Sequence, residues 1–118
     1  MNKRSLTELE LEIIKTLLSV DFQGRNELLK QLDNCMAMPT EDTDNYGSIY
    51  LYPVGPSANV ERSVPVDGIV KDSDGEDVNL LLHVKNGMLD ELEVVKLDGT
   101  NLMSSIDAEN IEVILNNS

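Results

Sequence analysis

One cysteine, one histidine, no tryptophan and four other aromatic residues leave this chain short of the parts from which catalytic and metal sites are built. A lone Cys35 allows no internal disulfide and no thiolate cluster for zinc or an iron–sulfur centre, so a reducing compartment fits best. No stretch approaches the roughly 20 apolar residues that a membrane span requires. The opening Met1-Asn2-Lys3-Arg4-Ser5 runs into Glu8, Glu10 and Glu12 rather than into the apolar core of a secretory signal, and a cytoplasmic location is expected. Positive charge is the largest deficit: 9 basic residues face 22 acidic ones, for a net charge of −13. Nucleic acid and anionic membrane surfaces would both repel such a chain, so neither is expected as a partner.

The acid is not evenly spread. The first forty residues hold five basic and six acidic side chains, and the rest hold four and sixteen. Hydrophobic content of 41% is ordinary for a folded protein, so the acid is displayed on a fold rather than carried by a disordered tail. Self-repulsion of this size is relieved by a cationic partner, and complementary fields speed encounter with one.

At 118 residues a single domain is expected over 1–118, with a helical part at about 4–33 and a sheet part at about 35–115. Ser5-Leu6-Thr7-Glu8 reads as a capping box opening a first helix, whose Leu6, Leu9, Ile13 and Leu17 recur at helical spacing. A second helix is expected from Arg25 to Asp33, after Gly24. Beyond Asn34 the period changes to two. Strands are expected at Cys35–Met38, Ser48–Pro53, Val64–Lys71, Val78–Lys85, Leu89–Leu97 and Ile111–Leu115, punctuated by Gly, Pro, Asn and Asp. The expected fold is therefore α+β, with two N-terminal helices on one face of an antiparallel sheet of four to six strands.

The most specific local signal is Asn86-Gly87, suited to a two-residue type I′ turn. Simple pairing across it would put Glu91 and Glu93 on the apolar face. One extra residue at Asp90-Glu91 restores Leu89, Leu92 and Val94 opposite Val84, Leu82 and Leu80, so a β-bulge is expected there. The other face would then show Tyr50, Tyr52, Leu81, His83 and Glu93.

Three constellations could carry chemistry. The run Asp72-Ser73-Asp74-Gly75-Glu76-Asp77 gathers four carboxylates but lacks calcium-loop spacing, so it reads as a solvated turn and no metal or other cofactor is assigned. His83 and Asp90 should lie opposite each other across the hairpin, a possible acid–base pair, yet no nucleophile accompanies them, and a cross-strand contact is the simpler reading. Tyr46, Tyr50 and Tyr52, beside the acidic stretch Glu41-Asp42-Thr43-Asp44, suit a surface that binds a cationic protein. Cys35 reads as core.

Arg4-Ser5-Leu6-Thr7, Phe22-x-Gly24-Arg25-x-Glu27-Leu28-Leu29-x-Gln31-Leu32, Gly47-Ser48-Ile49-x-Leu51, and Asp74-Gly75 followed by Leu81-Leu82-His83-Val84-x-x-Gly87-x-Leu89-x-Glu91-Leu92-Glu93 resemble a widespread group of small bacterial domains over about residues 4–102. In size, acidity and style the chain is also similar to the immunity proteins of contact-dependent growth-inhibition and other polymorphic toxin systems. That likeness implies a cytoplasmic, non-enzymatic protein that binds and blocks a basic toxin, commonly a nuclease domain. The residues expected to meet such a partner are Tyr50 and Tyr52 with Asp72, Asp74, Glu76 and Asp77. The competing expectations are a small enzyme or ligand-binding domain using His83 and Asp90, and a housekeeping interaction module.

Overall fold

A computed structural model describes residues 2–41 and 46–116. Its elements are β1 (Arg4–Ser5), α1 (Glu8–Leu17), α2 (Arg25–Gln31) running into a 3-10 turn (Leu32–Asn34), β2 (Met36–Pro39), β3 (Ile49–Tyr52), β4 (Val66–Lys71), β5 (Asp77–Lys85), β6 (Met88–Lys96), a second 3-10 turn (Ala108–Asn110) and β7 (Glu112–Leu115). The strands form one sheet in the order β1-β2-β3-β6-β5-β4-β7, antiparallel at every step. The α+β class and antiparallel sheet agree with the sequence reading, but among the described residues the sheet has seven strands rather than four to six. Each of the six expected strands is present, and the seventh is the two-residue β1, too short to show a period.

That strand also moves the helix start. Thr7 rather than Ser5 is the N-cap: its hydroxyl accepts from the Glu10 amide at 3.1 Å, and the Glu10 carboxylate accepts from the Thr7 amide at 2.9 Å. Two overlapping capping boxes are written here, Ser5-x-x-Glu8 and Thr7-x-x-Glu10. The second forms because Ser5 is committed to pairing with Met36 and because Arg4 grips both oxygens of Glu10 at 2.8 Å.

The hairpin β5–β6 has positive φ at both turn residues, 54° at Asn86 and 76° at Gly87, as the type I′ turn needs. Val84 pairs with Leu89 and His83 with Glu91, so Asp90 is the extra residue of the expected bulge. Leu82 then faces Leu92, and Leu80 faces Val94. Ile13, Ile14, Leu17, Leu18 and Leu28 of the helical part close over these side chains and share one buried core with Val66, Val70 and Ile49. Gln31 is wholly buried at that junction. Its amide donates to the carbonyls of Pro56 and Gly87 at 2.7 and 2.8 Å, and its oxygen accepts from Leu89 N at 2.8 Å, joining α2 to the hairpin. Among the described residues no helix is long and apolar enough to cross a membrane.

Candidate functional site

Among the described residues, helices and connecting segments cover one face of the sheet only. Register places Met36, Met38, Tyr50, Tyr52, Leu81, His83, Glu91, Glu93 and Val95 on the other face, with Asp67, Ile69, Asn79 and Ile114 toward the β7 edge. None of these side chains is buried, whereas the intervening Ala37, Ile49, Leu51, Leu80, Leu82, Leu92 and Val94 all are. The smallest extent of the molecule, 21 Å, is that of one helical layer on one sheet. A bare sheet face bearing two tyrosines, two methionines and several carboxylates is the principal surface feature of this fold.

Within it, Tyr50 pairs with Met38 and Glu91, and Tyr52 pairs with Met36, itself 37% exposed. The Lys3 ammonium lies over the Tyr52 ring, 4.1 Å from its centroid, within cation–π range. His83 Nε2 stands 2.8 Å from Glu93 Oε1. This corrects the expected His83–Asp90 pair: the bulge shifts register by one, so His83 opposes Glu91 and reaches diagonally to Glu93, while Asp90 is exposed at the bulge. The Oδ1 atoms of Asp67 and Asn79 face no hydrogen-bond donor.

The acidic turn behaves differently from a solvated loop. Asp72 is only 7% exposed, and its carboxylate accepts from the amides of Ser73, Met103 and Ser104, the Ser104 hydroxyl and the Lys96 ammonium, at 2.7–3.1 Å. Lys96, 2% exposed, spends its three protons on Asp72 Oδ2 at 3.0 Å, Asp74 Oδ2 at 2.6 Å and the Asn101 carbonyl at 3.0 Å. The Met103 amide, with Lys96 and the other donors, outweighs burial and holds the Asp72 carboxyl well below the usual carboxylate range. Burial pulls the Lys96 ammonium down, but Asp74 and Asp72 more than reverse this and keep it above the ordinary lysine value. Asp77 pairs with Lys71 at 2.6 Å, and Glu76 is exposed in the turn. Asp72 and Asp74 therefore clamp the segment after β6 to the β4–β5 turn. The sequence offered one signal of this: bulge-corrected alternation puts Lys96 at an inward position after Leu92 and Val94, where a cation demands carboxylates.

Of the remaining aromatic expectations, Tyr46 is buried, with its hydroxyl donating to the Thr100 carbonyl at 2.9 Å, so it belongs to the core. Glu41 is exposed, while Asp42, Thr43 and Asp44 lie outside the described residues. Cys35 is buried, and burial pushes its thiol pKa up, which leaves it a poor nucleophile. Among the described residues no three His, Cys, Asp or Glu side chains converge to hold a metal. Depressions of about 330 and 470 Å³ flank Asp21, Phe22 and Gln23, and His83 lines neither.

Fold and surface together define a small two-layer α+β domain with one face of its sheet open. The chain belongs to a family described as a domain of unknown function, DUF6984, whose family model matches residues 3–106 and so spans every element from β1 to β6. No curated protein and no solved structure matches it.

Proposed function

We propose that this protein is an acidic, cytoplasmic binding protein of the immunity type, which neutralises a basic toxin, such as a nuclease domain, by covering its active site. The observation that supports this reading is the uncovered sheet face, where Tyr50, Tyr52, Met36 and Met38 supply contact area beside Glu91 and Glu93. Tyrosine and methionine are favoured at the centres of protein interfaces, and carboxylates there pair with arginine and lysine. The net charge of −13 adds a long-range field that draws a cationic partner in. Of the residues expected from sequence, Tyr50 and Tyr52 keep a contact role. Glu76 and Asp77 contribute to the field, and Asp72 and Asp74 serve the clamp.

The test is to establish whether a gene adjacent to this one encodes a basic toxin domain, as the proposal requires, and to co-express that domain with this chain. The wild-type chain should restore growth and form a complex that survives gel filtration, and Tyr50→Ala with Tyr52→Ala should weaken both. A toxin that neither binds nor is inhibited by the folded wild-type protein refutes the proposal.

A further inference from the structure

Lys3 on the Tyr52 ring shows what this face accepts. The N-terminal segment alternates like the strand it leads into: Arg4 turns to Glu10 on the helical side, and Ser5 pairs with Met36 of the open face. Lys3 consequently returns to the open face, where its ammonium takes the Tyr52 ring at 4.1 Å. This is the chain's own cation in an aromatic site on a surface otherwise supplied with carboxylates.

We propose that Lys3 is a displaceable placeholder, and that a bound protein partner inserts an arginine in its place over Tyr52. The inference rests on the open face being the binding surface and specifies what that surface reads. Arginine suits the site better than lysine, because its planar guanidinium stacks on an aromatic ring and is shed by water more readily than an ammonium. Met36 opposite Tyr52 provides an apolar wall, and Glu91 opposite the neighbouring Tyr50 provides a carboxylate on the same face. Charge complementarity selects a cationic segment over any other occupant. Lys3, being tethered, competes at high effective concentration, so the free protein is partly self-blocked at this position.

The measurement is a set of dissociation constants for a capped hexa-arginine peptide, from amide chemical-shift titrations of the full chain in about 0.15 M salt, where the Debye length is about 8 Å. Lys3→Ala should tighten binding by about 3- to 6-fold, the factor set by vacating a site that an exposed cation–π contact holds most of the time. Lys15→Ala removes the same charge from the outer side of α1 and should tighten it by less than about 2-fold. Tyr52→Phe should bind like the wild type and Tyr52→Leu about 3- to 10-fold more weakly, with each variant's free spectrum confirming its fold. Equal effects of Lys3→Ala and Lys15→Ala overturn the proposal, as does a Tyr52→Leu protein that binds normally. If Glu91→Gln and Glu93→Gln weaken binding while Lys3 and Tyr52 variants do not, displacement is wrong and the open face stands. If no shifts map to β2, β3 and β6, both fall.

Discussion

Asp72 shows how far one side chain's role can depart from its appearance in the sequence. Its five donors come from residues 1, 24, 31 and 32 positions away, and the run of carboxylates around it gives no sign of them. Asp72→Asn should therefore cost clearly more thermal stability than Glu76→Gln, since it removes the buried member of the two carboxylates, Asp72 and Asp74, that balance the buried Lys96 ammonium. The pH dependence has a definite sign. A depressed Asp72 pKa contributes stability that is present above the unfolded value of about 4 and is lost as pH falls through the folded one. A raised Lys96 pKa contributes stability present below about pH 10 and lost as pH rises beyond it. The melting-temperature gap between wild type and Asp72→Asn should hold between those limits and narrow as pH falls below about 4; a constant gap there would dissociate Asp72 from the effect. His83 gives the opposite case. His83 and Glu93 form a partly exposed pair on the open face, so His83→Asn should cost about 1 kcal/mol or less in chemical denaturation and, on the proposed function, leave protection against a toxin intact. A stably folded His83→Asn protein that still binds its partner but no longer protects would revive the enzyme reading.

At the scale of elements, legibility followed the range of the determining interaction. The β5–β6 hairpin and its bulge could be read directly, because two adjacent turn residues and a conflict of face within six residues determine both. Deleting Asp90, the extra residue, should leave Leu89, Glu91, Leu92, Glu93 and Val94 in strict alternation, with Leu89, Leu92 and Val94 still inward, so the hairpin becomes regular and a cooperative melt by circular dichroism should persist. Loss of that melt would show that the bulge does more than correct the alternation. Helix α1 was legible at Ile13 and Leu17 of its apolar stripe, which are buried, but not at Leu9, which is exposed, nor in its first turn, where β1, a strand of two residues, decides between overlapping caps. Thr7→Ala should cost about 1 kcal/mol and Ser5→Ala a few tenths at most, measured by urea denaturation. The open face was legible as an alternation, but its register to β2, which sets Met36 beside Tyr52, depends on a pairing that no local pattern encodes. Lys3 was invisible for the same reason. Cation and ring lie 49 residues apart in the chain and meet only because β1 closes the sheet edge.

For the whole molecule, the charge of −13 acts on folding and on association with opposite dependence on salt. In the free protein the carboxylates outside the Lys96 clamp and the few surface pairs repel one another, and added salt screens that repulsion. The melting temperature of the isolated domain should rise between about 0.05 and 0.5 M sodium chloride, a range over which the Debye length falls from roughly 14 to 4 Å. In association with a basic partner the same field is attractive at long range, so screening should lower the association rate by about tenfold or more over that range while dissociation changes little. Neutralising Glu76 with Glu91 and Glu93 should flatten this salt slope without unfolding the domain. Neutralising Asp72 would confound the measurement, because it removes a stabilising clamp rather than a steering charge. Stopped-flow rates and calorimetric melts on one salt series separate the two effects. A domain whose stability and association rate both fall with salt would show that its carboxylates are mutually compensated in the folded state, and that the excess of acid does not repel within the fold.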